Sequence, residues 1–347
     1  MKKNPLTWIV TLSLLAICVC LLPTQAHAAS ESDLTFTLIS NGESYSVTDC
    51  NASASGALVI PATYNGKPVT SIGNNAFYGC TGLTEVNLSE GLKTIYSYTF
   101  ENCTALESIH IPDSVTELGA RAFYNCTSLS EANFPMSWTT VLNFYNNGTS
   151  YYDGHGDYQS PFQGCTSLKQ MEIPEGVTAI PKHAFRNSRI EEVTLPESLT
   201  AIGNYAFDCS SLKSITLPDS VTTLGDYALA SCKSLKTLSL NEDLTTVGSY
   251  AFAYSSALTE AVIPDSVTAL GEYAFRECTG LKKVTVGTGV TRLNRCTFYG
   301  CTGLTEVNLP DTLTTIYSYA FENCTSLETI HIPDSVTELG ARAFYNC

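Results

Sequence analysis

Beyond its first segment, the chain has no run approaching the ~20 apolar residues that a membrane-spanning helix needs, so the exported part is expected to be soluble. Charge is scarce, at 15% of residues. Positive charge is the scarcer kind, with 18 Lys and Arg against 33 Asp and Glu and a formal net charge of −15. That balance argues against nucleic acid and anionic lipid as partners. Signatures of chemistry are missing as well: there is no H-E-x-x-H, no G-x-S-x-G, no phosphate-binding glycine loop and no C-x-x-C. Neither an enzyme nor a bound cofactor or metal is expected. Only four histidines follow residue 28, namely His110, His155, His183 and His331. His110 and His331 stand at equivalent positions of a duplicated stretch, which speaks for shared ancestry rather than for a catalytic base.

What is present begins with an export signal. Lys2 and Lys3 precede a mostly apolar run from Leu6 to Leu22, and Ala26-His27-Ala28 has the small-x-small form of a cleavage site. Residues 1–28 are therefore expected to be a signal peptide cut after Ala28. Its loss removes two positive charges and no negative ones, taking the net charge from −15 to −17. Residues 29–57 are expected to form an N-terminal β cap, because Asp33 to Val47 alternates apolar and polar residues around Asn41-Gly42, a hairpin pattern.

From Val69 a fixed period takes over, with the skeleton V-T-x-[IL]-G-x-x-A-F-x-x-C-x-x-L-x-x-V-x-[LI]-P. Its Phe position is filled by Phe77, Phe100, Phe123, Phe162, Phe185, Phe207, Leu229, Phe252, Phe275, Phe298, Phe321 and Phe344. Most intervals are 23 residues, two are 22, and one, from Phe123 to Phe162, is 39. Such a period is the mark of a stacked-repeat protein. L-x-x-V-x-L ends in period-two spacing, so a short strand turns Ile215 and Leu217 inward and their neighbours outward. The following proline lacks an N–H and closes the strand. V-T-x-I is a second extended piece, and A-F-x-x-C-x-x-L joins one coil to the next. Coils stacked in parallel at ~4.8 Å make a rod roughly 55 Å long from about twelve repeats. The glycine after I/L suggests a left-handed turn, but Pro181 fills the same slot and cannot take positive φ. Close packing is the expected reason for glycine there.

The repeats IPDSVTELGARAFYNC at 111–126 and 332–347, with their variants over residues 58–347, resemble the bacterial BspA-like leucine-rich-repeat family. The resemblance implies a β-rich, right-handed curved leucine-rich-repeat solenoid on a secreted or cell-surface protein. It also implies adhesion to, or recognition of, an extracellular protein or glycan. Two other readings stand beside it: a structural spacer that displays another domain, and the non-catalytic part of a longer secreted hydrolase.

Ten cysteines, Cys80, Cys103, Cys126, Cys165, Cys209, Cys232, Cys278, Cys301, Cys324 and Cys347, are assigned to one repeat position, with Ser188 and Ser255 filling it elsewhere. Export invites a disulfide reading, yet a column interrupted by serine needs no partner, and buried Cys acts as a small apolar residue. A column of buried thiols is expected, with adjacent-coil disulfides as the alternative. Cys50 and Cys296 fall outside it. Cys296 replaces a tyrosine of the column two residues before Phe and is expected to be partly exposed.

Two outward strand rows, one running Glu85, Ser108, Glu131, Gln170 and the other Asn87, His110, Asn133, Glu172, lack the aromatic anchors of binding hot spots. They read as a solvated sheet face. The tyrosine column offers amphipathic area, either to a partner or as cover for the Phe spine. The strongest departure from the period is the aromatic insertion assigned to residues 136–160, sixteen residues longer than a repeat allows. It holds Trp138, Phe144, Tyr145, Tyr151, Tyr152 and Tyr158, the candidate binding residues, since insertions in repeat proteins emerge as loops that often bind. The alternative is a self-packed hairpin turning at Asn146-Asn147-Gly148. Asp153, His155 and Asp157 alternate in a Gly-rich stretch, too weak a pattern for a metal assignment.

Residues 299–347 repeat 78–126 with seven mismatches at an offset of 221. A multi-repeat block has been duplicated, so the natural chain is expected to continue past Cys347. An uncapped end predicts self-association through its apolar edge.

Overall fold

The computed structural model describes residues 27–39, 42–142 and 159–347. Its hairpin of Leu34–Ile39 and Ser44–Cys50 is antiparallel and carries the solenoid's first edge, because Ser44–Cys50 also pairs in parallel with Lys67–Ile72. His27–Ala28, the end of the expected signal peptide, pairs with Ala54 and Ser55. Beyond the hairpin almost every pairing is parallel and joins residues one repeat apart, as in Glu117↔Thr94 and Leu224↔Ile202. One sheet is built from the L-x-x-V-x-L strands, such as Glu260–Ile263 on Lys283–Val286, and the other from V-T-x-I, such as Thr246–Val247 on Ala269–Leu270. The chain is a β-solenoid, with a turn of 3-10 helix at Glu31–Asp33. No helix among them is long and apolar enough to cross a membrane.

The inward residues form one continuous core. Its spine is a file of phenylalanines, stacked at 4.8 Å for Phe77–Phe100, 5.3 Å for Phe100–Phe123 and 5.3 Å for Phe298–Phe321. Rings at the coil spacing stay in contact along the rod, except where Leu229 takes the position between Phe207 and Phe252. The turn after each strand is tied to both neighbouring coils. Asp265 accepts from the Thr288 amide of the next coil at 2.7 Å, and Ser266 donates to the Leu244 carbonyl of the previous one at 2.7 Å. P-D-S-V therefore caps coils as well as turning them.

Glycine after I/L is explained by space. A Cβ on Gly203 would lie 2.7 Å from the Ile180 carbonyl oxygen, and one on Gly248 2.5 Å from the Asp226 nitrogen. Left-handed backbone occurs elsewhere, at residues two before and two after Phe: Tyr98 has φ 60°, Asn102 61°, Tyr227 55° and Ser231 55°. Alternating conformations of this kind turn successive N–H groups to one side. Tyr98, Phe100 and Asn102 accordingly donate to Ala120, Ala122 and Tyr124 of the next coil at 3.2, 2.6 and 2.8 Å. The connecting segment thus carries a third inter-coil ladder, which offsets the ~1–2 kcal/mol that each left-handed non-glycine residue costs.

All twelve described cysteines are free thiols. Column members donate to the Phe carbonyl one coil back, as Cys103 to Phe77 at 3.1 Å and Cys301 to Phe275 at 3.1 Å. Ser255 makes the same bond to Leu229 at 3.1 Å, so serine replaces cysteine as an equivalent small donor. Burial pushes the thiols of Cys165, Cys232, Cys278 and Cys324 up to about 12. Two expectations are corrected. Cys209 is not in the column: it follows Phe207 by two residues where column members follow by three, so Ser210 turns inward and Cys209 takes the left-handed, exposed position at φ 57°. Cys296 is buried, 5% exposed, beneath the Arg295 guanidinium that spans the rings of Tyr273 and Tyr319.

Candidate functional site

Both sheets break at the same place. Glu131–Ala132 pairs back with Ser108 and Ile109, while Gln170–Glu172 pairs only forward with Glu192–Thr194. On the other face, Thr140–Leu142 pairs back with Glu117–Gly119, and Ala179–Ile180 pairs only forward with Ala201 and Ile202. What fills the interval is aromatic. Phe134 and Trp138 stand 23 residues after Ile111 and Val115 and so occupy positions that hold aliphatic side chains elsewhere. Their rings are 4.9 Å apart, and Trp138 packs edge-on to Phe162 at 6.3 Å and Phe185 at 6.1 Å. The larger side chains close the core where the two strand ladders stop, beside the connecting ladder, which crosses the break from Phe123 N–H to the Pro161 carbonyl and from Asn125 N–H to the Gln163 carbonyl.

Trp138 is therefore corrected from binding residue to core residue. It is 1% exposed, and its indole N–H donates to the Thr140 carbonyl at 2.9 Å, so neither face nor donor is open to a partner. The signal was legible in F-P-M-S-W, which aligns with I-P-D-S-V. Because Glu117↔Thr140 keeps the register, the extra residues are 143–158 rather than 136–160. Phe144, Tyr145, Tyr151, Tyr152 and Tyr158, with Asp153, His155 and Asp157, lie outside the described residues. On either side of them the stack is intact: the Leu142 carbonyl accepts from Ala120 at 2.7 Å and the Pro161 carbonyl from Phe123 at 2.8 Å.

Outside the wedge, on the outward strand rows, lies a groove of about 730 Å³ reaching from Glu85 and Asn87 across His110 and Glu131 to Glu172. Its floor includes the half-exposed Met136, whose amide is capped by Asp113 at 3.0 Å. Asn133 is already committed: its side-chain amide accepts from Ile111 N–H at 2.7 Å and donates to the Ile111 carbonyl at 2.8 Å, holding the last strand before the break. Glu131, Glu172, His110 and Asn87 remain available to a ligand. Nothing here pairs a nucleophile with a base, and no group of three or more His, Cys, Asp or Glu among the described residues is placed to hold a metal. The arrangement suits binding, by an acidic and hydrogen-bonding rim around an apolar floor.

The tyrosine column is a stack. Tyr205–Tyr227, Tyr227–Tyr250 and Tyr250–Tyr273 lie 4.6, 4.5 and 4.4 Å apart with interplanar angles of 7°, 5° and 6°. His183 extends it over Tyr205 at 4.9 Å. Ring faces are consumed by neighbouring rings, leaving only edges and hydroxyls for a partner. Sequence reasoning missed that these tyrosines are the left-handed residues of their coils; the Asn or Gly directly before many column cysteines was the available clue.

A family model described as a BspA type leucine rich repeat region matches residues 58–151, 158–259 and 246–347, with six copies. Among solved structures, a leucine rich cell surface protein from Faecalibacterium prausnitzii A2-165 is similar at 27% identity and a TM-score of 0.52, over 93% of each chain. A leucine-rich repeat protein from Bacteroides ovatus ATCC 8483 is similar at 28% identity and a TM-score of 0.60, over 91% of each chain. A search of curated protein sequences finds no match.

Proposed function

Because this chain belongs to the BspA-type leucine-rich-repeat family, we propose that it is a secreted or cell-surface recognition module that binds an extracellular protein or glycan. The similar protein from F. prausnitzii is described as a cell surface protein, and the export signal agrees with that location. The observation that carries the reading is the coincidence of three features around one coil: both strand ladders break, a groove of about 730 Å³ lies on the strand face there, and the sixteen extra residues follow Leu142 in the sequence. The groove supplies carboxylates and a histidine, and the insertion supplies Phe144, Tyr145, Tyr151, Tyr152 and Tyr158 as aromatic anchors of the kind that dominate interfaces. The spacer reading draws on the remaining strand rows, which are solvated and free of aromatics.

The test compares the full chain with two variants in surface-plasmon-resonance binding to a panel of matrix proteins and glycans. One variant replaces residues 143–158 by a short linker and keeps Trp138 in place. The other is Glu131→Lys/Glu172→Lys. At least one panel member is expected to bind the full chain and to lose tenfold or more in affinity in either variant. No binding by the full chain, or equal binding by all three, supports the spacer instead.

A further inference from the structure

The backbone ladder places one residue of each coil in a column just before the strand. Glu191 N–H donates to the Lys169 carbonyl at 2.7 Å, Lys213 to Glu191 at 3.1 Å, Lys236 to Lys213 at 3.0 Å, and Lys282 to Thr259 at 2.9 Å. Earlier coils put Thr84, Glu107 and Ser130 there, and later ones Thr305 and Glu328. The cations are thus gathered in the middle of the rod. Arg189 and Lys233, a few residues upstream in their coils, add to them. Lys169, Arg189, Lys213, Lys233 and Lys236, with Lys282 further along the column, stand on this flank against Glu191, and Glu192 is also near enough to Lys213 to act on its charge, in a chain whose formal charge is −15.

Glu191 does not neutralise this flank; it organises it. Its two carboxylate oxygens hold the ammonium groups of Lys169, at 2.9 Å, and of Lys213. These bonds, first that of Lys213 and then that of Lys169, keep its carboxyl near about 2, so it stays ionised at any physiological pH. Arg189, Lys233 and Lys236 make no ion pair among the described residues. Between the cations lies a depression of about 410 Å³ to which Thr166, Ser211 and Ser234 add hydroxyls.

We propose that this flank binds a linear, sulfated or carboxylated polysaccharide lying along the solenoid axis. Coils ~4.8 Å apart set Lys169 and Lys213 about 10 Å apart and carry the strip roughly 14 Å to Lys236. That suits repeated anionic groups on an extended chain. The hydroxyls between them suit sugar hydroxyls. The same composition disfavours two other polyanions. The depression has no aromatic platform on which bases of a single-stranded nucleic acid could stack, and no apolar face to enter a bilayer interface. The strip lies apart from the groove at Glu131 and Glu172, and the proposal does not depend on a ligand there.

The test measures binding of the full chain to heparin, used as the probe, by isothermal titration calorimetry over a range of NaCl. Two variants of equal charge change are compared: Arg189→Ser/Lys213→Ser/Lys236→Ser on the strip, and Lys93→Ser/Lys182→Ser/Arg292→Ser away from it. All six residues are exposed, so circular dichroism is expected to match the parent. For four engaged cations the slope of log K against log salt is expected near roughly −3. The strip variant should raise Kd at least tenfold and flatten that slope, while the other variant and uncharged dextran controls leave the contrast intact. Absence of heparin binding at low salt, or equal losses in both variants, overturns the proposal. So does equal or tighter binding, lost in the strip variant, of a DNA oligonucleotide or of phosphatidylserine vesicles.

Discussion

The indole of Trp138 lies 4.9 Å from the ring of Phe134, in the one coil that neither sheet ties to its successor. Truncating a buried Trp costs about 3–5 kcal/mol, in part because the surroundings do not collapse into the void. Trp138→Ala is expected at the upper end of that range, because neither strand ladder crosses the break and, of the three ladders, only the connecting one, as from Phe123 N–H to the Pro161 carbonyl, ties the two halves. Urea unfolding should then split into two transitions, one for each side of the break. In a Trp8→Phe background, the emission of Trp138 should be blue-shifted and shielded from iodide. Strong iodide quenching would return the residue to the surface.

Gly248 separates two accounts of the repeat glycine. Its φ is not positive, yet an added Cβ would lie 2.5 Å from both the Gly225 carbonyl carbon and the Asp226 nitrogen of the preceding coil. Gly248→Ala should therefore behave as overpacking and cost about 1–3 kcal/mol. Gly56 is the converse: at φ 79° with nothing within 4 Å, its alanine variant should cost only the left-handed penalty, about 1–2 kcal/mol. Thermal unfolding of the two variants checks this. A larger loss for Gly56→Ala than for Gly248→Ala would contradict the packing explanation.

How much of this was legible follows from what each residue's role depends on. The Phe file, the inward Ile and Leu positions and the proline stops depend on periodicity alone, and they appear in the sequence directly. Cys209 did not, because the residue missing from that repeat lies between the column and Leu212, so counting back from the leucine lands on Cys209 while counting on from Phe207 lands on Ser210. Trp138 was misplaced because its chemistry looked like an anchor, although its offset of 23 from Val115 put it in a core position. The breaks in the two ladders and the groove beside them depend on how coils part in space. No single repeat encodes that.

Cys278 donates its thiol to the Phe252 carbonyl at 3.1 Å, the bond that Ser255 makes to Leu229. Cys278→Ser should cost no more than about 1 kcal/mol, since a comparable hydrogen bond is kept, whereas Cys278→Ala leaves that donor out and should cost more. Burial pushes the thiol up to about 12, so it stays protonated at pH 8, where the thiolate is the reactive form. Native labelling with iodoacetamide should modify the exposed Cys209 long before Cys278, Cys301 or Cys324. Mass spectrometry of the labelled chain decides it. Rapid labelling of the column would show that coils open.

His183 heads the tyrosine stack, 7% exposed, with its ring 4.9 Å from Tyr205. Burial, reinforced by the positive charges of Arg186 and Lys182, lowers its pKa from 6.5 to about 3. Between those two values the unfolded chain takes up a proton that the folded chain does not. Stability is therefore fully present above pH 6.5 and falls as pH drops through the window, by about 1.4 kcal/mol per pH unit. His183→Tyr places the column's own residue at the same left-handed position and removes the titration. Comparing urea unfolding at pH 7.5 and pH 5, the loss of stability on acidification should be about 2 kcal/mol smaller in the variant. Carboxylates titrate alike in both proteins and cancel from the difference. Equal losses would mean that His183 is protonated in the folded chain, and its ring would then have to sit open to water rather than on Tyr205.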